Sequence, residues 1–279
     1  MKDLVIALDI GGTNTRCALI DSNYKILASK INPTVRGDTN LFLANVAKTI
    51  DETVKDFSNV KCLAMGVPGR VRYDGYINAL PNIHIDNIPL ADFLAKRYSR
   101  RAYVLNDAEV AALAEANLGT YKDAKSLFFV TISTGVGGAL TVKGKLAPSS
   151  SEIGHTLVSY KGDLYELEHL CSGTGIVKIC ALNGLEIKSS KEFFDLLREN
   201  NELALKIKKD WLALLGDWFK MIQDIFEPEV FTLTGGVIKS KDIFFDDLRK
   251  LTKGSRLEIC SFEQEAGLMG AAVFGFQQK

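Results

Sequence analysis

Apolar runs broken by glycine turns recur along this chain and predict its elements. "LVIALDIGGTNTRCALID" is an apolar run, a Gly-Gly turn and a second apolar run, the pattern of a β-hairpin. "LFLANVAKTIDETVKDF" spaces its apolar residues as a helix does. "VKCLAMGVPGRV" reads as a buried strand that breaks at Pro68-Gly69. "AYVLNDAEVAALAEANLG" predicts a short strand, then Asn106-Asp107, then an alanine-rich helix closed by Gly119, with either Asn106 or Asp107 as its cap. "SLFFVTISTGVGGALTVKGKL" then repeats strand, glycine turn, strand. The two repeats, near residues 4–20 and 127–146, predict two related lobes that each open on a hairpin, in place of one parallel sheet.

A long helix is expected from about Glu202 to Phe226. Trp211, Leu214, Leu215, Trp218, Ile222 and Ile225 form its apolar stripe, and Leu212 and Phe219 lie off it, which implies cover on more than one side. Pro228 ends that helix, and "VFTLTGGVI" follows as a strand with a third Gly-Gly turn. "EAGLMGAAVFGF" is a small-residue helix at the C-terminus.

Lysine plus arginine equals aspartate plus glutamate at 34 each, so the basic excess of a nucleic-acid or membrane-surface binder is absent. No apolar run has the length of a membrane span, and "MKDLVIALDIGG" reads as a strand and not as a signal peptide. The five cysteines (17, 62, 171, 180, 260) have no C-x-x-C spacing, which predicts reduced core thiols in a cytoplasmic protein.

Three turns carry candidate chemistry. Asp9-Ile10-Gly11-Gly12-Thr13 combines glycines, whose N–H groups can face a phosphate, with a carboxylate and a hydroxyl suited to Mg²⁺-bound phosphate. It is neither a P-loop nor G-x-G-x-x-G, and a plain hairpin turn reads the same way. "TISTGVGG", with Thr134, Gly135 and Gly137, is the second turn, and Thr234-Gly235-Gly236 is the third. Three such turns at strand ends fit a nucleotide held between two lobes. Asn106-Asp107 is either a helix cap or a carboxylate placed to accept a proton from a hydroxyl. Glu152-x-x-His155 is half of a metal site, a sugar-gripping pair or a surface pair.

Taken in order, "DIGGTNTRCALID", "GVPGRV", "LNDAEVAALAE", "TISTGVGGAL", "SEIGHTLV", "LEHLCSGTGI", "LTGGV" and "GLMGAAV" resemble the ROK family over nearly the whole chain. That family contains sugar kinases and related repressors. The resemblance implies an α/β, two-lobed actin-like fold, of the sugar kinase/Hsp70 ATPase, ribonuclease H-like kind. Residues 1–107 plus 265–279 would form the N-terminal lobe and residues 108–264 the C-terminal lobe. It implies an ATP- and Mg²⁺-dependent sugar kinase. Asp107 would be its catalytic base. Gly69, Asn82, Asn106, Glu152, His155 and Glu168 would hold sugar hydroxyls. Asp9, Gly11, Gly12 and Thr13 would form the first phosphate loop, with the Mg²⁺ of ATP near Asp9. Thr134, Gly135 and Gly137 would belong to the second loop, and Thr234, Gly235 and Gly236 to the nucleoside end. The implied partners are a sugar and ATP, with no nucleic acid and no membrane, in a homodimer.

Two departures matter. Family members often carry a cluster close to C-x-C-G-x-x-G-C-x-E that binds zinc together with the histidine of E-x-G-H. Here "SYKGDLYELE" contains no cysteine, and Glu166 stands in the last cysteine's place. No zinc is expected, and a hydrogen bond from Asp163, Tyr165 or Glu166 would have to orient His155. The second departure is Arg70, directly after Gly69. It is similar to the animal N-acetylmannosamine kinase and uncommon in the family's glucokinases. Its guanidinium suits an acetamido carbonyl, which inclines the substrate from glucose toward N-acetylmannosamine; a solvated turn arginine is the plainer reading. A sugar-sensing regulator without kinase activity is the other class, and the helix-turn-helix of such proteins has no room before Asp9.

Overall fold

Residues 3–72, 74–147, 152–262 and 265–278 are described by a computed structural model. In chain order the elements are β1 (Leu4–Ile10), β2 (Asn14–Asp21), β3 (Ile26–Pro33), α1 (Thr39–Thr53), β4 (Val60–Val67), β5 (Arg70–Val71), β6 (Ile77–Leu80), β7 (Ile85–Ile88), α2 (Leu90–Tyr98), β8 (Arg101–Asn106) and α3 (Asp107–Leu118). Then come β9 (Ser126–Ile132), β10 (Val136–Val142), β11 (Lys145–Leu146), a 3₁₀ turn (Ile153–His155), β12 (Leu157–Tyr160), β13 (Asp163–Glu166), α4 (Glu168–Cys171), α5 (Gly173–Leu182), α6 (Ser190–Arg198) and α7 (Glu202–Phe226). Last are β14 (Val230–Thr234), a 3₁₀ turn (Val237–Ser240), α8 (Lys241–Leu251), β15 (Leu257–Ile259) and α9 (Ala266–Gln277).

Two units result. The first comprises Met1–Lys122, Gly144–Leu146 and Phe262–Lys279, the second Asp123–Lys143 and Ala147–Ser261. The sheet orders, β3-β2-β1-β4-β8 and β11-β10-β9-β14-β15, repeat one plan: an antiparallel hairpin (β1–β2, β9–β10) with one further strand on its outer edge and two parallel strands on the other side. The two hairpins therefore stand where the glycine turns predict them.

In the first unit the strand period of two decides what each face carries. Ile6, Leu8 and Ile10 of β1 join Leu63, Met65 and Val67 of β4 against Phe42, Val46 and Ile50 of α1 and Leu90 and Leu94 of α2. The alternate residues, Val5, Ala7, Cys62 and Ala64, pack on α3 and α9. Small side chains on that second face let the helices approach closely. The first unit continues past residue 107 to Lys122, because α3 packs against α9 and β4.

In the second unit α7 is the centre of the core. Trp211, Leu212, Leu215, Trp218, Phe219 and Ile222 are all buried, so the helix is covered beyond a single stripe. Of the expected stripe, Leu214 is partly buried, and Ile225 is 63% exposed, since the last turn outruns the core. Glu227 then adopts a left-handed conformation and closes the helix before Pro228. All five cysteines are buried thiols outside any disulfide, and burial pushes those of Cys17 and Cys180 up to about 12. Among the described residues no helix is long and apolar enough to cross a membrane.

Candidate active site

The first glycine turn joins β1 to β2, closed by the Gly11 N–H bond to the Asn14 carbonyl at 2.9 Å. Its carbonyls are held from one side. Thr34 Oγ1 donates to the Gly11 carbonyl and Arg36 Nε to the Gly12 carbonyl, each at 2.7 Å. The Thr34 N–H donates to the Thr13 carbonyl at 2.9 Å. In a trans peptide the next N–H points the opposite way. The N–H groups of Gly12, Thr13 and Asn14 are therefore turned away from Thr34 and Arg36, as a phosphate cradle requires. A cleft of about 340 Å³ is lined by Asp9, Gly11, Gly12, Thr13, Asn14, Arg16, Glu265, Ala266 and Gly267. Burial pushes the Asp9 carboxyl up, and Arg16, its cross-strand partner, works against that. A Cβ on Gly267 would lie 2.5 Å from the Asp9 carboxyl carbon, so glycine at the start of α9 leaves Asp9 its place. Arg16, Arg36 and Gly267 are absent from the sequence-derived set. Arginines that hold or face a loop leave no periodic signature.

The remaining first-unit candidates gather at strand ends beside this turn. A Cβ on Gly12 would sit 3.3 Å from the Asn82 Cβ. Asn106, not Asp107, caps α3: its side chain accepts from the Ala108 N–H at 2.8 Å, while Glu109 accepts from the Asn106 N–H at 2.9 Å. The Asn106 amide also donates to the Gly69 carbonyl at 3.0 Å, which ties the break after β4 to the start of α3. Gly69 is required there because a Cβ would overlap the Ala79 carbonyl. Asp107, in the first turn of α3, is exposed, with Oδ1 accepting from the Ala108 N–H at 2.9 Å. Arg70 is exposed at the start of β5.

In the second unit the turn between β9 and β10 is closed by the Ser133 N–H bond to the Gly135 carbonyl. The third turn lies against it: Gly235, at φ +107°, packs on Ile132, and Gly236 lies 3.8 Å from Ser133 Oγ by its Cβ direction. The start of α5 joins the same cluster. The Gly173 N–H donates to the Ser133 carbonyl and Thr174 Oγ1 to the Thr134 carbonyl, while Ser172 caps the helix through the Gly175 N–H. In the sequence, Ser172 followed by glycines in "SGTG" is the signal of this helix start.

Glu168 connects this turn to the E-x-G-H segment. Its carboxylate accepts from the Val136 N–H at 3.2 Å, and a Cβ on Gly135 would meet the same oxygen at 2.7 Å. Gly154 lies between Glu152 and His155 because a Cβ there would overlap the Val136 carbonyl. His155 faces carboxylates with both ring nitrogens: Nδ1 is 2.7 Å from Glu166 and Nε2 is 3.1 Å from Glu152. An imidazolium carries a proton on each nitrogen and donates both ways. The hydrogen bond to Glu166 raises the His155 pKa above its ordinary value, against partial desolvation, with the charges of Glu166, Glu168 and Glu152 adding to it. The stability so contributed is present below the ordinary histidine pKa and is lost as pH rises through the raised one.

These residues do not fit the zinc site of the cysteine-bearing pattern. No cysteine stands between His155 and Leu170, and Cys171 is wholly buried in the core. His155, Glu166 and Glu168 offer one ligand atom each within 4.8 Å of one another, but no thiolate. Purified protein is expected to hold far less than one zinc per chain, and a chelator to leave its unfolding midpoint unchanged. Elemental analysis finding one zinc per chain would contradict this.

The sequence profile of the ROK family matches residues 5–277. A glucokinase of Thermotoga maritima is 27% identical over 304 residues, covering 96% of each chain. An N-acetylmannosamine kinase of Salmonella typhi is 25% identical over 287 residues, covering 96% of this chain and 97% of the other. The crystal structure of a ROK hexokinase from Thermus thermophilus superposes with a TM-score of 0.84 at 24% identity, over 99% of this chain and 98% of that one. The shared fold is the mixed α/β, two-lobed actin-like one.

Proposed function

This chain belongs to the ROK family and is a sugar kinase, and on that premise we propose that it transfers the γ-phosphoryl group of ATP to the 6-hydroxyl of a hexose or N-acetylhexosamine, with N-acetylmannosamine favoured. The observation that carries the reading is Glu168. One carboxylate is bonded to the backbone of the second glycine turn and lies beside His155 and Glu166. A phosphate-type turn and a set of hydroxyl-binding groups are thus built as one piece.

In this reading the turn at Gly11–Thr13 and the one at Thr134, Gly135 and Gly137 hold the phosphates, and Thr234–Gly236 the nucleoside end. Mg²⁺ arrives with ATP and neutralises phosphate charge; the Asp9 carboxylate and Thr13 hydroxyl are the hard oxygen donors suited to it. Gly69, Asn82, Asn106, Glu152, His155 and Glu168 hold the sugar. As the 6-oxygen attacks phosphorus, its O–H bond breaks and the proton passes to Asp107. The bond to the β–γ bridging oxygen breaks, and that electron pair leaves with ADP. Such transfer depends chiefly on positioning and charge stabilisation, which is what the fixed turns supply. The enzyme works in the cytoplasm, as a homodimer.

Arg70 selects the acceptor: its exposed guanidinium donates to the acetamido carbonyl, a contact glucose cannot make. kcat/KM is expected to be higher for N-acetylmannosamine than for glucose, and Arg70→Ala to erode that ratio by roughly tenfold or more, as loss of a hydrogen bond to a charged group does. A higher kcat/KM for glucose, or a ratio unmoved by Arg70→Ala, refutes the choice of sugar.

A further inference from the structure

His155 occupies the position where the family's pattern would place a metal ligand, and here its Nδ1 lies 2.7 Å from the Glu166 carboxylate. The hairpin of β12 and β13 explains how. Leu157 pairs with Glu166 across the two strands, and the Leu167 N–H donates to the Thr156 carbonyl at 2.8 Å, so Glu166 is carried to the strand end nearest His155. Thr156 Oγ1 donates to the Ile153 carbonyl at 2.7 Å and fixes the turn on the other side. The two other polar residues of β13 are placed elsewhere. Asp163 pairs with Tyr160 at the far end of the hairpin, and the Tyr165 ring lies under the Lys178 ammonium at 4.9 Å.

We propose that Glu166 is a positioning residue that takes over from a metal: by accepting from His155 Nδ1 it turns Nε2 toward Glu152 and keeps that pair in a single sugar-gripping orientation. The inference rests on the reading of Glu152 and His155 as sugar contacts. A half-exposed imidazole has a broad, two-fold torsion about its ring bond and swings unless one nitrogen is tethered. Carboxylates commonly supply that tether for histidines whose other nitrogen works. The titratable groups around the ring are Glu152 from the segment before the 3₁₀ turn, Glu166 from β13, and Glu168 and His169 from α4, with His169 Nε2 3.6 Å from the same Glu166 oxygen.

Two variants separate tether from charge. Glu166→Gln keeps an oxygen that accepts from Nδ1; Glu166→Ala keeps nothing. In Glu166→Ala the KM for the sugar is expected to rise about tenfold or more, in the range seen when such outer partners are removed, with kcat changed much less. In Glu166→Gln the KM should stay within about twofold of wild type. The chain has three histidines, so the ring nitrogen signals of His155 are assignable by NMR. Its titration should move to lower pH in both variants, and the bonded Nδ1 proton should vanish only in Glu166→Ala. Unchanged KM and unchanged His155 signals in Glu166→Ala overturn the inference, as does a metal bound through His155. If no hexose or N-acetylhexosamine is phosphorylated, the sugar reading fails by itself, and the His155 signals alone decide whether Glu166 is the tether.

Discussion

Asp107→Asn is expected to lower kcat by roughly a hundredfold or more while sugar binding and the fold persist. Asn106 carries the capping bond of α3 and the link to Gly69, and substitution at 107 leaves both in place. Asparagine at position 107 keeps an oxygen for the Ala108 N–H at nearly the same geometry. What it lacks is the ability to take a proton. A hundredfold loss corresponds to about 2.7 kcal/mol of transition-state stabilisation. Steady-state kinetics with a direct sugar-binding titration separates the two effects, and a variant with wild-type kcat would remove Asp107 from the base's role.

Gly270→Ala is expected to lower the stability of the first unit by about 2 kcal/mol. Alanine in a helix interior ordinarily gains about 1 kcal/mol over glycine. Here a Cβ would overlap the Val110 carbonyl of α3. Val110 has no room to retreat, because its Cγ2 lies 2.5 Å from where a Cβ on Gly66 would be. The residue is clamped between two glycines, one on β4 and one on α9, and overpacking costs near 3 kcal/mol offset the propensity gain. Gly216 in α7 is the control. Its would-be Cβ meets the Leu251 Cβ at 3.2 Å, and Leu251, the last residue of α8 and 53% exposed, can shift with the helix end by the small amount needed. Gly216→Ala should therefore be neutral or stabilising. Both tryptophans lie in α7, so their fluorescence follows the second unit, and far-UV circular dichroism in urea is the measurement for Gly270→Ala. An unchanged unfolding midpoint would show that α3 and α9 move apart freely.

The parts legible in the sequence are those coded locally. Both hairpins follow from glycine turns between apolar runs, and the α3 cap from two polar residues between a strand and an alanine-rich helix. The membership of α3 in the first unit was not legible, because its partner α9 begins at Ala266 and only packing joins them. Ile225 keeps the apolar stripe of α7 yet lies beyond the core that would cover it, which periodicity cannot reveal. In the site, the E-x-G-H spacing was visible, but the reason for its glycine, the Val136 carbonyl, belongs to another strand. The choice of Glu166 among three candidate tethers to His155 required the register of β12 and β13.

The central claim is that sugar and nucleotide meet in one phosphoryl transfer. The most direct measurement is ADP release by the purified protein with ATP and Mg²⁺, in the presence of each member of a panel of hexoses and N-acetylhexosamines and in the absence of sugar. The account predicts ADP release that depends on sugar, with one sugar 6-phosphate formed per ADP. ADP released equally without sugar, or no ADP with any sugar of the panel, would contradict it.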